Sequence, residues 1–299
     1  MMLQAGHPAS SRCELTCENR PTGAPAPDSS VSRQIAEQAT FALLAELAAW
    51  PKPGLVSPVD SGSHSDMDAP LLEASARTLQ PFFAELADAG QKLAPMDVLR
   101  EIGLRAEKQM LFVTQGVNTH RGAIFGLGLL CAAAGVRQTT EVHEARLGAI
   151  VAQWWGNDIE RGPIPLYSHG TTALRRHGAG GARAEAAAGF PSVYDIALPA
   201  LREGLRVGSP AIHAGPVQAC FALIASVEDT NLLHRGGKAG ADFAAACARD
   251  FLSKGGVNSP GWQDRAAGIH AQFIAHRLSP GGCADLLAMA LFVEAMERP

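Results

Sequence analysis

Residues 31–50 read VSRQIAEQATFALLAELAAW, and this stretch shows the pattern that decides the fold. Its apolar residues recur at helical spacing, at Ile35, Ala39, Leu43, Leu44 and Leu47. Such spacing places them on one face of an amphipathic α-helix. Ser30 or Ser32 is a candidate N-cap, and the prolines that follow predict an end near Trp50, because proline disfavours helical geometry in the residue before it.

Similar segments follow along the rest of the chain, at roughly 68–89, 95–114, 121–135, 139–155, 168–177, 192–206, 212–227, 239–253, 261–276 and 281–297. Alanine is abundant, and no stretch alternates apolar and polar residues over the length of a strand. The chain is therefore predicted to be all-α, with a single multi-helix globular domain. Residues 1–30 are rich in Pro, Ser, Gly and Ala and predict a disordered N-terminal tail, which leaves residues 31–299 as the helical catalytic domain.

The composition disfavours several classes of protein. The 299 residues carry a net charge of −4, without the basic excess that is typical of nucleic-acid binding. No apolar h-region marks a signal peptide, and the longest apolar run, 123–135, is too short to span a bilayer. The six cysteines form no C-x-x-C pair, which favours a reduced state. A soluble, cytoplasmic protein with no membrane or nucleic-acid partner is expected.

Three polar stretches interrupt the apolar helical pattern. They read PKPGLVSPVDSGSHSDMD at 51–68, GVNTHRG at 116–122 and EDTNLLHRGG at 228–237. Each places basic or amide side chains near glycine, whose backbone N–H can approach a ligand closely. Cations and such N–H groups bind phosphate, and paired acids bind a hard cation that phosphates share. The pattern indicates a phosphorylated, magnesium-bound substrate.

Some of these polar residues have a simpler structural interpretation. Asp66 and Asp68 precede a helical segment, so one of them could be its N-cap instead of a metal ligand. Glu228 and Asp229 close a predicted helix, where negative charge opposes the helix dipole, and this conflict favours a site. Asn231 could be a C-cap.

Four histidines stand beside glycine, asparagine, serine or arginine: His64, His120, His169 and His234. A lone histidine is usually structural or solvated, but four in such settings favour at least one catalytic or substrate-binding role. Histidines on helical faces, such as His270, are expected to be solvated. No H-E-x-x-H pair and no G-x-S-x-G elbow occurs, which disfavours a zinc protease and the common hydrolase triad.

Several motifs follow one another in a recognisable order. They are PKPGLV, the His-x-Asp-Met stretch, GVNTHRG, GAGGARAE at 178–185, GFPSV at 189–193, DTNLLHRGG and SPGGCADLLA at 279–288. Together they resemble the triphosphoribosyl-dephospho-CoA synthase family, over residues 35–292 of the chain. The chain departs from the family at Cys283, where serine is expected, and at two alanines near 178–185 where a more polar pattern is expected.

The resemblance implies a ribosyl transfer. ATP loses adenine, and its 5-triphosphoribosyl group passes to the ribose 2′-hydroxyl of 3′-dephospho-CoA with the triphosphate intact. The C1′–N9 bond breaks through an oxocarbenium-like state, and the change from a β to an α linkage implies direct displacement. The family makes the prosthetic-group precursor for malonate decarboxylase or citrate lyase. The SHSDM wording at 63–67 and the free-standing chain favour the malonate branch.

The same resemblance implies roles for the polar residues. Catalysis is expected from Asp66 or Asp229 as base and from His64 or His120 as proton donor. Substrate binding is expected from Lys52, Gly54, Asn118, Arg121, Gly122, Arg183, Asn231, His234, Arg235, Gly236 and Gly237. Magnesium is the expected cofactor, with ligands from Asp66, Asp68, Glu228, Asp229 and Asp285. The expected partners are ATP and 3′-dephospho-CoA as substrates and an acyl carrier protein downstream, and a homo-oligomer is compatible with the sequence.

Two other functions remain open at this level. A metal-dependent phosphohydrolase on a helical scaffold would use the same aspartates and histidines to activate water, and it predicts phosphate release from ATP. A non-catalytic nucleotide-binding helical module predicts ATP binding without turnover. The transferase predicts adenine release with no free phosphate.

Overall fold

The computed structural model describes residues 29–140, 142, 144–162, 181–207 and 213–298. Within those ranges the chain folds into eleven α-helices and no strand, which confirms the predicted all-α class. The helices are α1 (Ser29–Ala48), α2 (Ala69–Gln91), α3 (Met96–Val113), α4 (Arg121–Thr139), α5 (Leu147–Arg161), α6 (Gly181–Ala187), α7 (Leu198–Leu205), α8 (Ala214–Ser226), α9 (Thr230–Ser253), α10 (Trp262–Ala275) and α11 (Gly281–Glu297). A π-helical turn, Ser192–Ala197, precedes α7, and a 3₁₀ turn, Gly256–Asn258, follows α9.

Helix α4 lies at the centre of the bundle and packs closely against α2. Its length and apolar composition would suffice to cross a membrane, but 72% of that window is buried inside the protein, as in a core helix. A Cβ atom on Gly90 of α2 would overlap the carbonyl of Ala132, and one on Gly128 of α4 would lie 2.9 Å from Leu86. Glycine at these positions therefore lets the two helices approach.

Helices α2, α4 and α11 run in the same direction, so their N-termini lie at one end of the bundle. Ser75 in the second turn of α2 hydrogen-bonds His120 at the start of α4. Gly122 in the first turn of α4 lies against Asp285 in the first turn of α11, and Gly126 lies against Met289 one turn later. Helix N-termini carry partial positive charge, so this end of the bundle is suited to anions.

Helix α1 runs the opposite way and brings the first polar stretch to the same end. Ser32 near its start donates to Asp88 near the end of α2, at 2.5 Å. Its C-terminus leads into residues 51–57, all of which are buried. The first seven residues of the longest polar stretch are therefore part of the packed interior at this end, whereas residues 58–68 lie nearer the surface.

Several predicted boundaries differ from the structure. The helix predicted at 139–155 is α5, which begins only at Leu147, where Glu297 of α11 accepts a hydrogen bond from the Leu147 N–H at 2.6 Å. The helix predicted at 239–253 begins at Thr230 as α9, and its kink at Gly237 lies near the predicted start. Helix α6 was not predicted, and the segment predicted as a helix at 168–177 lies outside the described residues.

The predicted N-terminal tail also lies mostly outside the described residues. Its last two residues, Ser29 and Ser30, form the start of α1, so the helix begins slightly before the predicted boundary of the domain. Residues 1–28 belong to the part of the chain that the structure leaves undescribed.

Candidate active site

Lys52 lies in the interior, not at a phosphate-accessible surface. Its side chain is fully buried, and its ammonium donates to both the carbonyl and the carboxylate of Glu46 at the end of α1. A buried charge requires such a partner, because the interior solvates it poorly. The Lys52 ammonium is therefore paired inside the protein. Direct contact of its side chain with a phosphate remains a prediction.

Glu46 is a residue that sequence reasoning missed. It stands on the core face of α1, one turn after Ala42 and Leu43, and only 7% of it is exposed. An acid among the buried positions of an otherwise apolar helical face was a usable signal, because such a charge is rarely tolerated without a partner.

His270 of α10 was predicted to be solvated, and this is wrong. The residue is 3% exposed, and its Nδ1 lies 2.6 Å from the carbonyl oxygen of Lys52. Its Nε2 lies 3.0 Å from Oδ1 of Asp60. Gly54, which has a φ of 66°, packs against the carbonyl of Leu278 where a side chain would not fit. These contacts fix the buried loop against α10 and the segment before α11.

His64 connects the first polar stretch with α9 and with the turn before α11. Its Nε2 lies 2.8 Å from Oγ of Ser279, and its Nδ1 lies 3.1 Å from Nη2 of Arg235 and 3.5 Å from Oδ1 of Asp66. Burial and the nearby Arg235 charge lower the pKa of His64, against the opposite effect of Asp66. The imidazole is therefore favoured in its neutral form.

The second polar stretch supplies a buried, neutral histidine. Nδ1 of His120 lies 2.8 Å from Oγ of Ser75, which also contacts Thr119. Burial lowers the pKa of His120 to about 4, so it carries no charge at neutral pH. His120 as the proton donor to adenine remains a prediction, and a neutral imidazole could donate only from a ring N–H.

Asn118 and Arg121 shape the start of α4. The side-chain oxygen of Asn118 accepts a hydrogen bond from the Arg121 N–H at 3.2 Å, just before the N-cap residue His120. The Arg121 guanidinium pairs with Glu107 of α3, with Nε 2.7 Å from the carboxylate. About 40% of the Arg121 side chain is still exposed, so it remains accessible to an anion.

Asp229 is the N-cap of α9, which corrects the expectation that it closes a helix. Helix α8 ends at Ser226, and one oxygen of Asp229 accepts from the N–H groups of Asn231 and Leu232 at 2.7 and 3.2 Å. Its negative charge lies at the N-terminus of α9, where it interacts favourably with the helix dipole. The expectation that Asn231 is a C-cap is wrong for the same reason, since it lies in the first turn of α9.

The second carboxylate oxygen of Asp229 reaches another helix. It accepts from the N–H of Cys283 in the first turn of α11 at 2.8 Å. Burial raises the pKa of Asp229, while these N–H groups oppose the shift. Because α11 uses the backbone N–H at Cys283, the contact does not depend on whether serine or cysteine stands there.

Asp285 lies where the N-termini of α4 and α11 meet. It accepts a hydrogen bond from the Ala123 N–H, and its carboxylate occupies the space that a Cβ on Gly122 would need. Burial and the negative charges of Glu46 and Asp229 raise the pKa of Asp285 well above its usual range. A carboxyl group held in this way is a candidate for proton transfer.

Most of the remaining predicted residues lie near the start of α2 or of α9. Asp68 is confirmed as the N-cap of α2, with its carboxylate 3.0 Å from the Leu71 N–H, and Glu228 and His234 are exposed near the start of α9. Asn231 lies against Gly281, and Gly236 lies against Leu278. Gly237 forms the kink of α9. Arg183 differs, because it donates to the carbonyls of Ile159 and Gly162 at the end of α5.

All three polar stretches contact the segment 278–285, which leads into α11. His64 and Ser63 contact Ser279 and Leu278, Asp229 contacts Cys283, and Asp285 contacts the start of α4. The hydrogen bonds of Arg183 place it apart, at the end of α5.

The acids fit a magnesium ion only if the substrate supplies other ligands. Across the described ranges, no three His, Cys, Asp or Glu side chains form a metal-binding group. Magnesium that is bound to ATP needs only one or two protein carboxylates. Asp66 suits this requirement, because its side chain is 59% exposed and stands beside His64.

Comparisons with known proteins identify the family of the chain. A sequence profile of the ATP:dephospho-CoA triphosphoribosyl transferase family matches residues 32–299. A protein from Stutzerimonas stutzeri named "Probable 2-(5''-triphosphoribosyl)-3'-dephosphocoenzyme-A synthase" is 39% identical over 89% of this chain and 93% of its own length. Proteins of the same name from Azotobacter vinelandii and Acinetobacter calcoaceticus are 38% identical over 91% of this chain and 94% of that protein, and 36% identical over 87% and 90%.

No solved structure is significantly similar to the chain. The family match covers every described helix except the first three residues of α1, and it includes all three polar stretches. The chain therefore belongs to the ATP:dephospho-CoA triphosphoribosyl transferase family.

Proposed function

We propose that this chain transfers the 5-triphosphoribosyl group of ATP to the ribose 2′-hydroxyl of 3′-dephospho-CoA and releases adenine. The observation that carries the proposal is that the three polar family motifs all contact the segment 278–285 at the start of α11. Residues separated by more than 200 positions contact each other there, as a single substrate contacting all three motifs would require.

The electrostatics of this end suit a triphosphate. The N-termini of α4, α9 and α11 come together and bring the partial positive charge of three helix dipoles to this end. Several of their first N–H groups already bind Asp229 or Asp285. Arg235 and Arg121 add two exposed or partly exposed guanidinium groups. A guanidinium group can donate two parallel hydrogen bonds to the oxygens of one phosphate. These arginines are therefore the proposed triphosphate contacts.

The reaction needs one group to accept the proton of the 2′-hydroxyl and another to assist the departing adenine. Asp66 suits the base, because its carboxylate is exposed and does not cap a helix. Asp229 suits it less well, since its two oxygens accept three backbone N–H bonds. Asp285 is the described carboxyl in the site whose surroundings most strongly favour holding a proton.

Magnesium is proposed to arrive with ATP. Bound there, it would offset part of the triphosphate charge. Asp66 is the first candidate for its protein ligand and Asp285 the second, in each case as an alternative to the proton-transfer role. The product is proposed to serve an acyl carrier protein, with malonate decarboxylase favoured over citrate lyase by the wording at 63–67. Action in the cytoplasm follows from the same pathway and is proposed with it.

Incubation of the purified chain with ATP, Mg²⁺ and 3′-dephospho-CoA tests the proposal. Chromatography should show free adenine that appears only when dephospho-CoA is present. ATP that binds but is never consumed would favour a nucleotide-binding module. ADP and phosphate formed without dephospho-CoA would favour a phosphohydrolase.

A further inference from the structure

The guanidinium of Arg235 is held in place although its hydrogen bonds go to no carboxylate. Its Nη1 donates to the carbonyl of Ser63 at 3.0 Å and lies 3.4 Å from that of Arg277. Its Nη2 lies 3.1 Å from Nδ1 of His64. The residue is nevertheless exposed, so its charge faces solvent in a fixed orientation.

This geometry determines how His64 is protonated. A guanidinium group can only donate hydrogen bonds, so Nδ1 of His64 must accept from Arg235. The proton of the neutral ring is then on Nε2, which donates to Oγ of Ser279 at 2.8 Å. Ser279 is 2% exposed and lies immediately before α11, so it provides a rigid anchor for the ring.

Both ring nitrogens of His64 are therefore engaged within the protein. The N–H that could protonate adenine points to Ser279, and the lone pair points to Arg235. A histidine in this arrangement is suited to orient its neighbour, because the fixed tautomer and the anchored ring leave Nδ1 in one place.

We propose that His64 and Ser279 are positioning residues that hold Arg235 ready for the triphosphate of ATP, and that His64 is not the proton donor to adenine. The inference rests on the proposed function for the identity of the anion. An arginine that is already oriented loses less conformational freedom when the anion binds, so the cost of binding is lower.

Binding of ATP with Mg²⁺, measured by calorimetry without dephospho-CoA, separates the two roles of His64. We expect His64→Ala to raise the Kd for ATP about three- to tenfold, and Arg235→Ala to raise it about ten- to a hundredfold. The double variant should bind no more weakly than Arg235→Ala alone, because the effect of His64 passes through Arg235. Ser279→Ala should weaken binding by about two- to threefold in the wild-type background and not at all beside Arg235→Ala.

The conservative variant His64→Asn provides a second test. Its side-chain oxygen can occupy the place of Nδ1 and accept from Arg235, so ATP affinity should stay within about twofold of wild type. Since asparagine cannot transfer a proton, kcat should also be largely retained if His64 only positions Arg235. His276→Ala, which removes an exposed histidine that contacts Phe243, is the matched control and should leave Kd unchanged.

The opposite pattern would overturn the inference. A kcat that falls about a hundredfold or more in both His64→Ala and His64→Asn, with unchanged Kd, would identify His64 as a proton-transfer residue. Additive effects of His64→Ala and Arg235→Ala on Kd would also contradict positioning. If the proposed function is wrong, the wild-type chain will form no adenine. The coupling between His64 and Arg235 in ATP binding is measured independently of adenine formation.

Discussion

At the scale of single residues, Asp285 is held where its ionised form is least favourable. It is partly buried and lies near Glu46 and Asp229, whose charges add to the effect of burial in raising its pKa. An acid kept in such a place costs stability whenever it is charged, and residues of this kind often serve catalysis. The sequence showed an acid in a family motif, but not these neighbours.

Asp285→Asn is predicted to stabilise the protein while it removes most of the activity. Because the folded pKa is raised, the native state binds the proton more tightly than the unfolded chain does. The contribution of this carboxyl group to the free energy of unfolding is therefore favourable at acid pH. It is lost as the pH rises above the usual pKa range of an Asp carboxyl. Urea unfolding in magnesium-free buffer should show the stability of the variant relative to wild type increasing as the pH rises from about 4 to neutral.

A constant difference in unfolding free energy between Asp285→Asn and wild type across that range would contradict this prediction. Activity at the wild-type level would show separately that the carboxyl group has no role in the reaction.

Asp229→Ala is predicted to lower the free energy of unfolding by about 2–4 kcal/mol, because the change removes a helix cap and leaves buried N–H groups of α9 and α11 without partners. Asp68→Ala is the matched control, since Asp68 caps α2 at the exposed surface and its loss should cost about 1 kcal/mol. Thermal and urea unfolding of the two variants give the comparison. If Asp229 were only a metal ligand, Asp229→Ala would unfold like wild type.

At the scale of helices, the first turns of α4 and α11 must approach closely for the site to form. Gly122→Ala would place a methyl group where the Asp285 carboxylate lies. We expect a loss of activity together with a stability cost of about 1–3 kcal/mol, as is usual for overpacking. Circular dichroism with unfolding curves and an adenine assay would measure both effects.

Gly103→Ala is the control for this substitution. Gly103 is in the interior of α3, and no atom lies within 4 Å of the position of an added Cβ. Alanine there should stabilise the protein by about 0.4–1 kcal/mol and leave activity intact. A Gly122→Ala variant that gains stability in the same way would show that the two helices do not need this contact.

The helices themselves could be predicted well, because apolar residues at spacings of three and four are a local property of the chain. The start of α5 could not, since its capping group comes from Glu297, 150 residues away in sequence. Asp229 was placed at the wrong kind of helix end for a related reason. A carboxylate between two helices can be a C-terminal conflict or an N-terminal cap, and only the exact helix boundaries distinguish the two.

The site was predicted in part. The motifs identified the loops that meet at α11, but buried partners such as Glu46 and His270 stand outside those motifs and were missed. Their roles depend on contacts with Lys52, a residue that the sequence analysis assigned to substrate binding and that the structure places in the core. Burial of a basic side chain in a Pro-Lys-Pro-Gly turn has no local signature.

At the scale of the whole molecule, one bundle end brings together helix N-termini, two arginines and a set of acids. Parallel packing of α2, α4 and α11 produces this end, and the glycines of α2 and α4 allow it. We propose that a triphosphoribosyl group is transferred intact at this end.

The most direct test follows both ends of ATP in one reaction. ATP labelled in the adenine ring and in the γ-phosphate is incubated with the chain, Mg²⁺ and 3′-dephospho-CoA, and the products are separated. We predict the ring label in free adenine and the γ-phosphate label in the dephospho-CoA product, in equal amounts and with no labelled inorganic phosphate. Ring label in ADP with γ-phosphate label in inorganic phosphate would contradict it.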